Sequence, residues 1–163
     1  MNLMIFYIVT FLILIIFLFQ DLKFRGINWF LFPLLLGITL FLNPSQLSPS
    51  YTQMLMSIFF LTVNLLVLFI YVSLKNKRLI NIFKTHFGIG DVLFFIAVIP
   101  LFSFRNFILF FITGMIVSMV LHLLLKHKQK KITIPLAGYL SAYLILILTI
   151  NIFKPNFLLI DVF

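Results

Sequence analysis

Residues 54–74 read MLMSIFFLTVNLLVLFIYVSL, a stretch without a single charge. A helix needs about 20 mostly apolar residues to cross a bilayer, with about 17–25 tolerated, so Met54 to Leu74 is expected to be a membrane span. Reading outward in both directions, the same pattern recurs. The expected spans are about 3–20, 28–42, 54–74, 91–103, 107–125 and 134–153. Between the second and third, Pro44 to Gln53 is rich in Ser, Pro and Gln and reads as a loop. Ser103 to Asn106 reads as a tight turn.

The whole composition agrees. The chain has 163 residues, of which 64% are hydrophobic, and its mean hydropathy is +1.27. Soluble domains hold roughly 45–50% apolar residues, and a soluble chain this short could not bury so many large side chains while keeping a polar surface. The expected fold is therefore all-α, a polytopic membrane protein of about six transmembrane helices forming one membrane-embedded domain over 1–163. The net charge of +9 does not indicate nucleic acid, because the basic residues cluster between apolar runs and form no stripe on one element. With no Cys, a disulfide, a Cys-based zinc site and a thiol nucleophile are all excluded. No cofactor or metal is called for. The first apolar run has its charges, Lys23 and Arg25, after it and none before it, the reverse of a cleavable signal peptide; it is expected to be retained.

The 12 Lys and Arg residues divide unevenly over six spans. Lys23, Arg25, Lys75, Lys77, Arg78, Lys84, Lys126, Lys128, Lys130 and Lys131 fall on one side, and Arg105 and Lys154 on the other. The positive-inside rule makes the first side cytoplasmic and both termini extracytoplasmic. The fourth to sixth spans do not echo the first three, which argues against an inverted-repeat transporter. The 23 Phe residues read as lipid-facing and inter-helix packing surface. Gly114 and Ser118 make a small-xxx-small seam on the fifth span.

Acid is scarce: Asp21, Asp91 and Asp161 are the only acidic residues. Asp161 reads as a solvated charge in the outer tail. Asp21 closes the first span and Asp91 opens the fourth, so the topology puts both at the cytoplasmic boundary. A carboxylate at such a place is expensive and functional by default. Two carboxylates sharing a proton around one water perform aspartic proteolysis, the ionised one taking a proton from water and the protonated one polarising the scissile carbonyl. Gly88 and Gly90 precede Asp91 at G-x-G-D spacing. Lacking Cβ, they permit unusual dihedrals and close backbone approach. The plainer reading makes Asp91 an N-cap. The dipoles of the two helices would place the charge on Asp91, at a helix N-terminus, and the shared proton on Asp21, at a helix C-terminus.

Three segments carry a resemblance. Asp21 to Trp29 (DLKFRGINW), Gly88 to Val92 (GIGDV) and Ile134 to Leu140 (IPLAGYL) resemble, in order, the first-aspartate, second-aspartate and last-span motifs of the type IV prepilin peptidase family, G-x-G-D membrane aspartic proteases. The resemblance extends over nearly the whole chain. It implies catalytic Asp21 and Asp91, backbone support from Gly88 and Gly90, and a site-proximal Pro135; Lys23 and Arg25 read first as positive-inside anchors, with a secondary site-proximal role steering an acidic substrate residue. It further implies cleavage of a short basic leader from prepilin or pseudopilin-like membrane proteins at the cytoplasmic face of the bacterial inner membrane. The chain departs from the pattern at Asn28, where a Pro is usual, at Leu93, where a Lys is usual, and at Leu136-Ala137-Gly138, which stands for Phe-Gly-Pro. It has neither the length nor the cysteines of the N-terminal methyltransferase region of bifunctional members, so no N-methylation is expected.

Other residues read more plainly. His86 is a polar loop residue near the glycines. His122 and His127, five apart, miss the spacing that puts two ligands on one helix face. No Ser sits in a G-x-S-x-G elbow. Two other readings compete. A presenilin or signal-peptide-peptidase type of protease shares G-x-G-D but carries Pro-Ala-Leu, where this chain has Pro135-Leu136-Ala137. A small ion-coupled carrier or assembly subunit would hold its acids nearer mid-membrane.

Overall fold

The computed structural model describes residues 3–42, 51–76, 88–125 and 135–153. Among these, all regular structure is helical: α1 (Leu3–Phe24), α2 (Leu31–Leu42), α3 (Tyr51–Asn76), α4 (Ile89–Val98) with a 3-10 turn (Ile99–Leu101), α5 (Phe104–Leu125) and α6 (Leu136–Phe153). Four of them, α1, α3, α5 and α6, are long and apolar enough to cross a membrane, and α2 and α4 are apolar but shorter. The protein is an all-α, multi-pass membrane protein whose outer surface meets lipid. Phe59 and Leu74 on α3 are 71% and 73% exposed, which only an apolar solvent makes stable.

The helices begin and end slightly away from the apolar runs, for local reasons. α1 continues a turn past residue 20, so Asp21 lies inside its last turn. It stops because Arg25 adopts a left-handed conformation, φ 58°, and donates its N–H to Asp21 O at 3.1 Å, the αL type of helix end. α2 starts only at Leu31, after a turn in which Leu31 N–H bonds Asn28 O. Residues 51–53, expected as loop, are the first turn of α3, and the rest of that loop lies outside the described residues. Residues 104–106, expected as turn, open α5 instead, where Phe107 N–H bonds Ser103 O at 2.8 Å. Pro100, which lacks an N–H and cannot continue an α-helix, coincides with the tightening of α4 into its 3-10 turn.

Packing centres on α6, half of whose span is buried against 17% for α3. It lies against α1 and α5 and touches α4; α2 bridges α1 and α4, and α3 packs on α5 and the 3-10 turn. Aromatic rings join these elements. Phe17 of α1 meets Phe32 of α2 at 5.1 Å and Phe94 of α4 at 5.6 Å, both edge-on. Phe110 of α5 stacks on Phe102 at 4.7 Å and on Tyr143 of α6 at 5.8 Å. The Phe residues thus serve both as packing and as lipid-facing surface. The small-residue seam on α5 is real: a Cβ on Gly114 would lie 2.7 Å from Leu140 Cδ2, and Ser118 is fully buried.

Candidate active site

α6 begins with a defect. Its helical residues start at Leu136, and the position before it is Pro135, which has no side-chain oxygen to accept the free N–H groups of the first turn. Those groups are met from elsewhere. Asp91 Oδ1 accepts the Ala137 N–H at 2.9 Å, and Asp21 Oδ2 accepts the Gly138 N–H at 2.6 Å. Two carboxylates from two different helices therefore sit on consecutive amides of a third. Both are withdrawn from solvent: Asp21 is 8% exposed and Asp91 is half-buried. Each lies in the electrostatic field of the other.

Asp91 is not the N-cap of α4. Gly88 holds that position and Asp91 is the third residue of the helix. From there Asp91 Oδ2 accepts the Gly88 N–H at 3.2 Å, the acid half of a capping box, while Oδ1 remains directed at α6. The capping and the site-forming readings of Asp91 are both realised, one through each oxygen. Asp21 reaches α6 through one oxygen, Oδ2.

The glycines act by what they lack. No glycine among the described residues has a positive φ, so the unusual dihedrals expected at Gly88 and Gly90 are absent. What matters is space. A Cβ on Gly88 would lie 3.0 Å from Asp91 Oδ2, whereas one on Gly90 would make an ordinary 3.5 Å contact with Phe32 Cζ. The close approach that sequence reasoning missed is at Gly138, where a Cβ would come within 3.1 Å of both Asp21 Cβ and Oδ2.

The remaining named residues separate. Pro135 opens α6, its carbonyl accepting the Tyr139 N–H at 3.1 Å, and is part of the site's frame. Arg25 acts electrostatically on Asp21. Lys23 turns away: its Nζ lies 5.1 Å from the Phe19 ring centroid and 5.2 Å from that of Phe24. Asn28 is fastened through its backbone N–H to Gln20 Oε1 at 3.0 Å, which holds the α1–α2 linker beside Asp21. Leu93 packs against the core. His86, His127, Lys77, Arg78, Lys84, Lys126, Lys128, Lys130, Lys131, Lys154 and Asp161 lie outside the described residues. Among the described residues no three His, Asp or Glu side chains come together as a metal-ligand set.

The dipole expectation considered α1 and α4 alone. The N-terminus of α6 points at both carboxylates, and a helix N-terminus favours negative charge; a third helix therefore contributes to holding the pair. One signal in the sequence could have revealed this: Pro135 opens a helix whose own side chains supply no N-cap, so an acceptor had to arrive from another element.

Comparison of the chain with protein-family models, with curated proteins and with solved structures returned no match.

Proposed function

We propose that this protein is a membrane aspartic endopeptidase with Asp21 and Asp91 as its catalytic pair. The observation that supports it best is the convergence of the two carboxylates on the adjacent Ala137 and Gly138 amides. Aspartic chemistry needs two carboxyl groups, from separate elements, held close enough to share one proton. Both oxygens of Asp91 accept N–H bonds, and an oxygen bearing a proton is a poor acceptor. In this proposal Asp21 therefore carries the shared proton, and Asp91 takes the proton from the attacking water.

The substrate class follows from the resemblance of the three segments to type IV prepilin peptidases. The protein would remove a short basic leader from a prepilin or pseudopilin-like protein in type IV pilus assembly or type II secretion. In this reading all six helices are membrane-embedded, both termini are extracytoplasmic, and the aspartates face the cytoplasm of a bacterium from its inner membrane. No cofactor enters the reaction.

A second reading rests on the same hydrogen bonds: the aspartates cap α6 from a distance and do no chemistry. Co-expression with a pilin-like precursor separates the two. Leader removal by the wild type, and none by Asp21→Asn or Asp91→Asn at matched protein levels, is the result expected of the peptidase. Cleavage by either variant at the wild-type rate would overturn the dyad. A folded wild type that cleaves nothing would favour the capping role or an ion-coupled carrier.

A further inference from the structure

The linker between α1 and α2 is held firmly from behind and exposes aromatic rings in front. Ile27 packs into the core, Gln20 Oε1 holds the Asn28 N–H, and Phe32 N–H bonds Trp29 O at 3.3 Å as α2 begins. Against this fixed backing Trp29 is 77% exposed and Phe30 59% exposed, their rings edge to face with centroids 6.2 Å apart. On the α1 side of the same rim, Lys23 lies over the Phe24 ring, itself 59% exposed. Exposing two large aromatic rings to bulk water on a rigid turn is unfavourable in proportion to their apolar area.

Depth and charge indicate what covers them. The apolar span of α1 ends at Phe24 after 20 residues, which at ~1.5 Å per residue is about the thickness of the hydrocarbon layer. The rim therefore falls at the lipid–water boundary, where Trp side chains concentrate. Asp21, two residues from Lys23, is buried and turned toward Gly138. What the rim presents outward is a cation among aromatic rings.

We propose that Lys23, Phe24, Trp29 and Phe30 form a docking surface for the headgroup layer of anionic phospholipid, which seats the aspartate end of the molecule at that leaflet. The apolar rings enter the boundary region and the ammonium meets lipid phosphate, the pairing by which basic juxtamembrane residues bind acidic leaflets. This surface is independent of the proposed peptidase activity, and so is its test.

Trp29 is the only tryptophan in the chain, so its fluorescence reports on this rim alone. The full-length protein is reconstituted in phosphatidylcholine bilayers containing lipid brominated at shallow or deep acyl positions. Shallow bromines are expected to quench Trp29 more than deep ones, and aqueous iodide to quench it weakly. With brominated phosphatidylglycerol in place of brominated phosphatidylcholine, the quenching should show about fivefold enrichment of the anionic lipid near Trp29. Lys23→Gln, at an exposed site, should bring that ratio toward parity. Equal quenching by the two lipids in the wild type would overturn the proposal. So would strong quenching by iodide with none by brominated lipid, which would place Trp29 in water and mark a face for a protein partner.

Discussion

Asp21 Oδ2 and the Gly138 N–H are 2.6 Å apart across 117 residues of chain, and no side chain at position 138 could share that space without displacing the carboxylate. The bond joins the last turn of α1 to the first turn of α6, and the neighbouring Asp91–Ala137 bond joins α4 to the same turn. The geometry of the carboxylate pair is thus set by the N-terminus of one helix.

Gly138→Ala tests that dependence. Its Cβ would meet Asp21 Cβ and Oδ2 at 3.1 Å, in a place where neither α1 nor α6 is free to move far. Overpacking of this kind costs about 1–3 kcal/mol, and small misplacement of a catalytic group lowers rates by about tenfold or more. Leader cleavage and unfolding in a denaturing detergent titration should both be impaired. Wild-type values in both would show that Asp21 does not need this contact.

The two glycines of the G-x-G-D run should differ. Gly88→Ala brings a Cβ within 3.0 Å of Asp91 Oδ2, whereas Gly90→Ala meets only the Phe32 ring edge at 3.5 Å. Gly90→Ala, in a helical turn with negative φ, is expected to leave activity within about twofold and to raise stability by ~0.4–1 kcal/mol. Gly88→Ala is expected to lose activity about tenfold or more. Parallel cleavage assays decide it, and equal sensitivity at both positions would contradict the spatial explanation.

Asp21→Asn and Asp91→Asn should be equally inactive but unequally stable. Loss of an acid–base group lowers the rate by about 10²–10⁴-fold. In Asp91→Asn one oxygen becomes an NH₂ group, yet both oxygens of Asp91 accept N–H bonds, so a donor is forced against a donor. That costs ~1–3 kcal/mol. Asp21→Asn can keep its carbonyl on Gly138 and should unfold near the wild-type midpoint. Identical unfolding midpoints for the two variants would argue against the bonding pattern.

The α5–α6 seam should behave as a coupled pair. Gly114→Ala places a Cβ 2.7 Å from Leu140 Cδ2, and Leu140 is fully buried, so the expected loss is about 1–3 kcal/mol. Leu140→Ala removes the obstructing atom. In a double-mutant cycle followed by unfolding, Gly114→Ala should cost less in the Leu140→Ala background than in the wild type. Strict additivity would place the two side chains apart.

Thr39 ties α2 to α4. Its Oγ1 lies 2.8 Å from Ala97 O and 2.9 Å from Leu36 O, just before α4 gives way to the 3-10 turn. Thr39→Val keeps the shape and removes the hydroxyl, with an expected loss of roughly 0.5–1.5 kcal/mol. Thr39→Ser should retain most of the stability. No difference between Val and Ser by unfolding would remove this bond from the account.

Several features were legible in the residues themselves. An uncharged run such as 54–74 has few ways to satisfy its backbone in lipid other than by forming a helix, so the all-helical class follows from composition and spacing. The scarcity of acid singled out Asp21 and Asp91 before any geometry was known. Their partners were not legible, for a physical reason: Asp91 bonds to Ala137 and Gly88, and Asp21 to Gly138, through backbone N–H groups that every residue but proline carries and no side-chain pattern announces. Sequence read Leu136-Ala137-Gly138 as a departure from a motif, whereas packing makes it the surface on which both carboxylates rest. The limits of α1 and α2 were set by Arg25 in a left-handed turn and by the turn at Asn28, local conformations that the apolar pattern does not mark. The sequence by itself determined a bundle of apolar helices carrying two conspicuous acids. Only the tertiary structure decided that those acids meet, because their meeting depends on the direction and depth at which α6 packs against α1 and α4.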